Sequence, residues 1–326
     1  MKILVTGGAG YIGSHFVKKL ISQGKQVVVF DNLSRGHIES ISENVSFENV
    51  DLVNKDALRK CLTGYEIEAV VHFASFAYVG ESVENPGLYY KNNVVGSLNL
   101  IDEICRAGIN KFIFSSTCSV YGNDNIIPIK ERENVAPINP YANSKLMIEK
   151  ILADYNKSKE LKYVALRYFN AAGADPDGEI GESHDPEPHL IPNVLNTALG
   201  LRNKVSIYGD NYNTKDGTCV RDYIHVCDLA DAHLASIDYL YQSSASDPTI
   251  INLGTGIGYS VREIIETAEE VSSNEIPYEI RERRAGDPDI LVADNQLAKN
   301  LLHWKPKYGL KSIVETAWNW HQNKKF

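Results

Sequence analysis

The stretch VTGGAGYIGSHF, residues 5–16, follows an apolar run at the start of the chain and leads into a helical pattern. Its glycines at positions 8, 10 and 13 have the spacing G-x-G-x-x-G, and position 7 is a glycine as well. A glycine-rich turn between a strand and a helix brings free backbone N–H groups and the positive end of the helix dipole together. The stretch therefore predicts a pyrophosphate site at the start of a βαβ unit.

A second apolar run, QVVVFD, ends in Asp31, at the place where dinucleotide-binding proteins carry an acidic residue. A carboxylate there accepts hydrogen bonds from both ribose hydroxyls and repels a 2′-phosphate, so we expect NAD rather than NADP. Arg35 lies close enough to reduce that preference slightly. A second glycine-rich cluster, at 254–260, is similar to the first turn and also precedes a helix. No alternating sheet follows it, and we interpret it as a loop.

Strand and helix patterns alternate through the first half of the chain, with further β-rich runs at 69–74, 111–116 and 162–170. This alternation predicts an α/β fold, a doubly wound parallel Rossmann sheet with helices on both faces. After residue 170 comes a long loop rich in glycine, proline and acids, then helices and short strands. We predict an NAD-binding domain over 1–170 and a smaller mixed α/β substrate domain over 171–326, with some segments crossing back.

The composition excludes several classes of function. Of the 326 residues 43% are hydrophobic, and the net charge of −9 argues against a nucleic-acid surface, which needs clustered lysine and arginine. No apolar run approaches the roughly 20 residues that cross a membrane, and the N-terminus does not resemble a signal peptide. The five cysteines are scattered without a C-x-x-C pair, as expected for reduced thiols. We therefore expect a cytoplasmic protein that binds neither nucleic acid nor membranes.

A tyrosine and a lysine four positions apart form the second chemical motif, in NPYANSK at 139–145. Asn139 fits a helix N-cap and Pro140 the first helical position, so Tyr141 and Lys145 share one helix face. Five apolar residues continue in much the same direction and predict that the pair faces inward: Met147, Ile148, Ile151, Leu152 and Tyr155. The pKa of a free phenol is near 10, and it must fall by about 3 units for the phenol to act as a base near pH 7. The ammonium, the helix N-terminus and an oxidised nicotinamide could together supply that change.

These motifs and four further blocks resemble the extended short-chain dehydrogenase/reductase family and, within it, the UDP-glucose 4-epimerases. The blocks are TGGAGYIGSH (6–15), HFAS (72–75), FIFSSTCSVYG (112–122), PYANSK (140–145), LRYFNAAGA (166–174) and DGTCVRDYIHVCDLA (216–230). The resemblance implies a homodimer with tightly bound NAD that interconverts UDP-galactose and UDP-glucose. The sugar would pass through a transient 4-keto form that turns within the pocket before it is reduced on its other face.

The resemblance also implies roles for individual residues. Tyr141 would take the proton from the sugar 4-hydroxyl, Thr117 would bridge the sugar oxygen and Tyr141, and Lys145 would also hold the nicotinamide ribose. The residues expected along the dinucleotide are Gly7, Gly10, Tyr11, Ile12, Gly13, Asp31, Asn32, Ser34, Asp51, Leu52, Phe73, Ala74, Asn92, Ser115, Tyr141, Lys145 and Tyr168. Those expected at the nucleotide-sugar are Thr117, Tyr141, Phe169, Asn170, His189, Leu190, Arg221, Arg284, Asp287 and Leu291.

Three positions depart from the pattern of many family members. Thr117 replaces a serine, keeping the hydroxyl while restricting χ1 more tightly. Ala77 stands where members often have a lysine, so one cofactor contact is expected to be missing. Leu291 replaces a bulky tyrosine that narrows the sugar pocket in some members, and we predict that UDP-GalNAc and UDP-GlcNAc are accepted too.

Other functions stay open on the residues alone. An NAD-dependent reductase that releases its cofactor needs the same turn and the same tyrosine–lysine pair, and only the blocks of the second half favour the epimerase. The related 4,6-dehydratases place an Asp-Glu pair after the threonine and decarboxylating relatives a glutamate, where this chain has Cys118 and Ser119. A non-enzymatic dinucleotide sensor has little need for Tyr141, Lys145 and Thr117 together. Galactose breakdown and the supply of polysaccharide precursors need the same reaction.

We expect no metal site. The set Cys219, His225 and Cys227 fits no common zinc spacing. It lies in a block that the family uses without a metal.

Overall fold

The structure is a computed structural model that describes residues 1–123, 125–242, 249–284 and 287–326. Its strands are β1 (Lys2–Thr6), β2 (Gln26–Asp31), β3 (Ser46–Asn49), β4 (Ala69–His72), β5 (Lys111–Thr117), β6 (Lys162–Tyr168), β7 (Asn170–Ala172), β8 (Val205–Tyr208), β9 (Val220–Arg221), β10 (Tyr223–His225), β11 (Thr249–Leu253), β12 (Tyr259–Ser260), β13 (Tyr278–Arg281) and β14 (Ile290–Leu291).

Its α-helices are α1 (Tyr11–Ser22), α2 (Lys55–Thr63), α3 (Val79–Glu84), α4 (Pro86–Tyr89), α5 (Gly96–Arg106), α6 (Pro140–Lys159), α7 (Leu190–Ala198), α8 (Val226–Gln242), α9 (Val261–Ser272), α10 (Gln296–Leu302) and α11 (Leu310–Gln322). Two short 3-10 turns (Ile38–Ser40 and Cys118–Tyr121) and one π-helical turn (Tyr90–Val95) accompany them. Among these described helices, none has the length and apolarity that a bilayer crossing requires.

Seven parallel strands form the central sheet, in the order β11-β6-β5-β4-β1-β2-β3. The chain starts in the middle at β1, runs outward to β3, and returns to β4 on the other side of β1. At the carboxyl end of β1, Thr6 pairs with Phe30 of β2 and with His72 of β4. The predicted Rossmann architecture is confirmed. In such sheets the crevice at the switch point, here between β1 and β4, is where ligands bind.

Both faces of the sheet are covered, because the central positions of its inner strands are apolar. Ile3 and Val5 point into a core shared with α1, α8 and α10, whereas Leu4 points into a core shared with α2, α5 and α6. Alternation across each strand sends neighbouring side chains to opposite faces, and both faces are therefore dry. This packing holds the strand ends, and the loops that leave them, in fixed positions.

The second half of the chain contributes to this sheet as well as to a smaller unit. Helix α8 packs on α1, and β11 pairs in parallel with β6 at the sheet edge. A separate apolar core lies around α7, α9 and α11. Around it are the short pairs β10-β7 and β13-β8 and the three-stranded β12-β9-β14. Helices α8 and α10 and strand β11 thus cross back to the sheet, and the boundary near residue 170 stays a prediction.

Helix α6 begins as its sequence indicates. The Asn139 side chain accepts a hydrogen bond from the backbone N–H of Ala142 at 2.9 Å, with Pro140 in the first turn. Ile148 and Leu152 are fully buried. The expectation for Met147 was wrong, since its side chain is 43% exposed. It lies about 100° around the helix from Ile148, which points directly into the core.

Candidate active site

The glycine turn packs against the end of β4 so closely that side chains are excluded. Gly7 has φ +72°, and a Cβ on it would lie 2.4 Å from the backbone nitrogen of Ala74. A Cβ on Gly13 would lie 2.2 Å from the carbonyl oxygen of Gly7, because the first turn of α1 rests on the loop. Gly10 is the N-cap of α1. The turn therefore needs glycine for its own packing, and it leaves the start of α1 open toward a ligand.

A cleft with about 570 Å³ of free volume opens beside this turn at the switch point of the sheet. Ten of the residues predicted along the dinucleotide line it: Gly7, Gly10, Asp31, Asn32, Ser34, Asp51, Leu52, Phe73, Ala74 and Asn92. Six further lining residues were not predicted: Phe30, Arg35, Gly36, Val50, Ser75 and Phe76. Four of the six adjoin a predicted residue in the chain and the other two, Gly36 and Phe76, lie two positions from one, so closeness in the chain was the one signal that could have found them.

Asp31 stands at the end of β2 with its carboxylate fixed toward the cleft. One oxygen accepts the N–H of Ala9 at 3.0 Å and the other that of Leu33 at 2.8 Å. Burial raises the pKa of this carboxyl above its usual value, and the backbone N–H groups oppose that effect. Arg35 forms an ion pair with Glu81 at 2.6 Å. Because its charge is already paired, Arg35 is a poor partner for a 2′-phosphate, and the cleft suits NAD better than NADP.

An irregular helical turn sets the far wall of the cleft. Asn92 and Asn93 lie in the π-helical turn between α4 and α5. The Asn93 amide donates to the carbonyl of Phe76 at 3.0 Å and to the Ser144 hydroxyl at 3.0 Å, and it accepts from the Phe76 N–H at 2.9 Å. This buried amide joins the cleft wall to α6. Such π-turns are frequent at functional sites, and here the turn aims Asn92 at the cleft.

The three residues predicted to be catalytic lie together at the edge of this cleft. Lys145 is 2% exposed, and its Nζ donates to the Ser75 hydroxyl at 2.9 Å and to the Ser115 carbonyl at 2.8 Å. The same Nζ is 5.9 Å from the centre of the Tyr141 ring. Thr117, the last residue of β5, interacts with the Tyr141 phenol closely enough to lower the pKa of that phenol. Ser75 also lines the cleft, so a single hydroxyl links the lysine to the cofactor side.

The protein's own groups keep the Tyr141 phenol protonated. Desolvation raises the pKa of Tyr141 to about 12, although the hydrogen bond with Thr117 opposes the rise. Desolvation also lowers the pKa of Lys145 to about 7, which weakens the cation that was expected to favour the phenolate. Ionisation near pH 7 therefore depends on a further positive charge in the cleft, such as an oxidised nicotinamide.

Tyr168 is the last residue of β6, and contacts with α8 and β5 hold its side chain in place. Its hydroxyl hydrogen-bonds the Nε2 of His233 in α8 and interacts with Ser115. Burial raises the pKa of this phenol well above its usual value. The His233 ring lies 4.7 Å from the ring of Phe73, which lines the cleft. Sequence reasoning missed His233, because 65 residues separate it from Tyr168 and only the packing of α8 brings them together.

A second cavity of about 300 Å³ lies in the smaller unit. Its lining residues are Asn170, Ala171, Ala172, Glu182, His189, Leu190, Ile191, Pro192 and Tyr223. Three of them, Asn170, His189 and Leu190, were predicted at the nucleotide-sugar. Tyr223 was missed, and it arrives through the register of β10, where it pairs with Asn170 of β7. His189 forms an ion pair with Glu182 at 2.5 Å. Burial disfavours its charge, yet Glu182 and Glu187 raise the pKa of His189 to about 10.

The remaining predicted substrate residues surround the short strands β9 and β14. Arg221 is held by Asp287 at 2.5 Å and lies beside Leu291 in the strand register. Leu291 in turn packs in a cluster that includes Phe169 and Cys118. Arg284 is exposed and stacks over the Tyr208 ring at 4.0 Å. The structure thus brings Arg221, Asp287, Leu291 and Phe169 together, with Arg284 at the rim.

The two residues that follow Thr117 in the chain are Cys118 and Ser119. Burial raises the pKa of the Cys118 thiol to about 12, and the Ser119 N–H donates to the Thr117 hydroxyl at 3.2 Å. Neither side chain could act as the acid or base of an elimination near pH 7.

Both nitrogens of His225 are engaged, with the Thr316 hydroxyl at 3.0 Å and the N–H of Cys227 at 3.1 Å. His225 is therefore a packing residue.

Comparison with known proteins agrees with this geometry. The family model described as GDP-mannose 4,6 dehydratase matches residues 4–317. A UDP-glucose 4-epimerase of Halalkalibacterium halodurans is 49% identical over 323 residues, which are 99% of this chain and 96% of that protein. The crystal structure of UDP-glucose 4-epimerase from Brucella ovis in complex with NAD is 47% identical, with 97% of each chain covered and a TM-score of 0.94.

A further solved structure, the UDP-Glc/GlcNAc 4-epimerase from Campylobacter jejuni, is 41% identical. The match covers 98% of this chain and 99% of that chain, with a TM-score of 0.86. Each of these matches covers nearly the whole of this chain. The chain therefore belongs to the UDP-glucose 4-epimerase family of the extended short-chain dehydrogenases/reductases.

Proposed function

We propose that the protein is a 4-epimerase that interconverts UDP-galactose and UDP-glucose with tightly bound NAD. The observation that carries the proposal is that Thr117, Tyr141 and Lys145 meet between the cofactor cleft and the residues around Arg221. Bound NAD would supply a reversible hydride acceptor, so that sugar C4 passes through a 4-keto state without net oxidation. The division into an NAD-binding part, 1–170, and a nucleotide-sugar part, 171–326, belongs to the same proposal.

Tyr141 is the proton carrier in this proposal. As a phenolate it would accept the proton of the sugar 4-hydroxyl and later return it to the oxygen of the epimer. The Thr117 hydroxyl, which interacts with Tyr141, would hold the sugar oxygen in line with the phenol. Lys145 is locked by Ser75 and Ser115, so its ammonium would stay at a fixed distance from the developing negative charge.

The substrate side has to grip one end of the molecule while the hexose turns. Arg221 and Arg284 offer guanidinium groups suited to a diphosphate, and Asp287 holds Arg221 in its conformation. Asn170, Phe169, His189 and Leu190 would contact the remaining parts of the nucleotide-sugar. A grip on the diphosphate leaves the sugar ring free to present either face to the cofactor.

We also propose activity on UDP-GalNAc and UDP-GlcNAc. Leu291 is partly exposed beside Phe169 and Arg221, at the position where a tyrosine would narrow the sugar pocket. Leucine is smaller than tyrosine and lacks its hydroxyl, which leaves room for an acetamido group. The similarity to the Campylobacter jejuni protein, whose printed name includes GlcNAc, supports this substrate range.

A homodimer in the cytoplasm, serving galactose metabolism, completes the proposal. Helices α3, α4 and α6 contact one another. Their exposed apolar side chains are Val79, Val83, Leu88 and Met147. An apolar helical surface of this kind suits a second copy of the chain. The five cysteines are free thiols, as a reducing compartment would keep them.

The proposal is tested with the purified protein and no added dinucleotide. Incubation with UDP-galactose should yield UDP-glucose, and incubation with UDP-N-acetylglucosamine should yield UDP-N-acetylgalactosamine, both measured by NMR. Denatured protein should release about one NAD per chain. Failure to epimerise UDP-galactose, even after NAD is added, would refute the activity. Turnover of UDP-galactose alone would refute only the wider substrate range.

A further inference from the structure

Two histidines and two glutamates meet in the long loop between β7 and α7, outside the catalytic group. Glu182, His184, Glu187 and His189 each offer one nitrogen or oxygen, and these four atoms lie within 4.8 Å of one another. Glu182 is 4% exposed, and the side chains of His184 and Glu187 are 14% and 8% exposed. Two imidazoles and two carboxylates are ligands typical of zinc and of similar transition metals.

The distances between these atoms are close to those of a tetrahedral site. With metal–ligand bonds of about 2.0–2.1 Å, neighbouring ligand atoms of a tetrahedron are about 3.3 Å apart. The His184 Nδ1 lies 3.3 Å from Glu182 Oε1 and 3.7 Å from Glu187 Oε2. The His189 Nδ1 lies 3.3 Å from Oε1 of Glu187, which is the other oxygen of that carboxylate. The 2.5 Å pair of His189 and Glu182 would have to open by somewhat less than about 1 Å.

Two of the atoms are buried without a hydrogen-bond partner in the described part of the chain, the Nδ1 of His184 and the Oε2 of Glu187. They face each other at 3.7 Å, beyond hydrogen-bonding distance. A carboxylate oxygen that is buried without a donor is unfavourable, and the Glu187 side chain is more than nine-tenths buried. A cation between the two atoms would satisfy both, so these unpaired atoms point to a ligand.

We propose that Glu182, His184, Glu187 and His189 bind one divalent transition metal ion of the zinc class. Because the protein supplies all four ligands, the site is of the closed type that stabilises structure, with no position left for a reacting water. Metal binding would displace the proton of His189, and two carboxylates with two neutral imidazoles then balance the charge of a dication. Magnesium and calcium prefer all-oxygen ligands and should compete poorly.

The position of the site indicates what the metal stabilises. Glu182 and His189 line the second cavity, and His189 is the residue directly before α7. The His184 ring packs edge-on against Tyr11 at 6.4 Å and Tyr78 at 5.6 Å. Tyr11, the first residue of α1, donates to the carbonyl of Gly173 at 2.5 Å. The ion would therefore fix the loop that joins the start of α1 to the wall of the substrate cavity.

The test uses the full-length protein after dialysis against a chelator and then against metal-free buffer. Zn²⁺ is titrated in competition with a chromophoric chelator, and Mg²⁺ and Ca²⁺ are titrated in parallel. We expect about one Zn²⁺ per chain. At a free Zn²⁺ concentration of about 100 Kd we expect Tm to rise by about 4 °C. The X-ray absorption spectrum should show nitrogen and oxygen at about 2.0–2.1 Å and no sulfur at about 2.3 Å, which separates this site from the cysteines.

Two variants remove one ligand each, His184→Asn and Glu187→Gln, and both should bind Zn²⁺ at least about 100-fold more weakly. The matched controls are His303→Asn and Glu266→Gln, which make the same changes at exposed positions and should bind as the wild type does. Glu187→Gln is nearly isosteric, so it should keep the metal-free Tm. Equal Zn²⁺ binding by wild type and both ligand variants would overturn the proposal, as would sulfur in the first shell or the absence of Zn²⁺ binding by the wild type.

Discussion

The cofactor cleft and the substrate cavity are built in different ways. All but one of the residues that line the cleft come from the first 76 residues, and several meet the ligand space through backbone atoms. The substrate side is assembled from side chains between residues 169 and 291, drawn from strands, a long loop and helix ends. The cleft should therefore be sensitive to added atoms, and the substrate side to the loss of charges and of side-chain shape.

The largest effect is expected where the two regions meet. Tyr141→Phe keeps the ring and its packing but removes the oxygen that would carry the proton. We expect kcat with UDP-galactose to fall by about 10³-fold or more, while bound NAD and the KM stay near their wild-type values. Steady-state kinetics and NAD release on denaturation measure the three quantities. A kcat within tenfold of the wild-type value would show that Tyr141 is not the residue that carries the proton.

The pH dependence of stability tests the buried ammonium at the same junction. Lys145 has a folded pKa of about 7 against an ordinary value of 10.5. Between these values the unfolded chain binds a proton that the folded chain does not, so stability rises with pH. Lys145→Met should remove a rise of about 3 kcal/mol between pH 7 and pH 9.5, measured by urea unfolding.

Lys150→Met, at an exposed position on the same helix, is the matched control and should keep the wild-type slope. Parallel pH profiles for the wild type and Lys145→Met would mean that the lysine is not desolvated as its burial indicates.

Adding one methyl group should damage the cofactor region selectively. In Gly13→Ala the new Cβ would lie 2.2 Å from the Gly7 carbonyl oxygen, so the turn must shift. We expect the free energy of unfolding to fall by about 1–3 kcal/mol and most of the bound NAD to be lost. Chemical denaturation and NAD content give the two readouts.

Gly80→Ala is the control for that change, because a Cβ there meets no atom within 4 Å. It lies within α3 and should stabilise slightly. If Gly13→Ala retains NAD and stability as well as Gly80→Ala does, close backbone packing at the glycine turn is not what shapes the cleft.

Removing one charge should damage the substrate region selectively. Arg221→Met deletes a proposed diphosphate contact and leaves Asp287 without its 2.5 Å partner. We expect the KM for UDP-galactose to rise by about 10- to 100-fold, with NAD retained. Arg202→Met, at an exposed arginine, should leave the KM unchanged. Loss of NAD together with the rise in KM would contradict the separation of the two regions.

The smallest expected effect concerns the shape of the sugar pocket. Leu291→Tyr should lower the turnover of N-acetylated sugars relative to plain sugars by up to about tenfold, because the larger ring takes the space of the acetamido group. Leu291→Met conserves volume and should keep the ratio. The kcat/KM values of all four UDP-sugars give this ratio. An unchanged ratio in Leu291→Tyr would exclude residue 291 as the determinant.

Local sequence patterns were sufficient to predict the features that depend on interactions between neighbouring residues. Gly13 contacts Gly7 within one turn, Asp31 accepts the N–H of Leu33 two residues on, and Asn139 accepts that of Ala142 at the helix start. The same holds for the capping box before α9, where the Ser260 hydroxyl accepts the N–H of Glu263 at 3.1 Å and the Glu263 carboxylate accepts that of Ser260 at 2.8 Å. Strand–helix alternation then determined the sheet, because parallel strands require crossovers.

Tertiary packing alone decided the rest. His233 supports Tyr168 only because α8 returns to the sheet, and Tyr223 reaches the substrate cavity only through the register of β10. The stretch ESHDPEPH, 182–189, has no helical or strand period, and its conformation depends on packing against the distant residues Tyr11 and Tyr78. A sequence determines contacts between near neighbours through propensity and sterics. Contacts between residues far apart in the chain depend on how the whole core packs, and no local pattern records them.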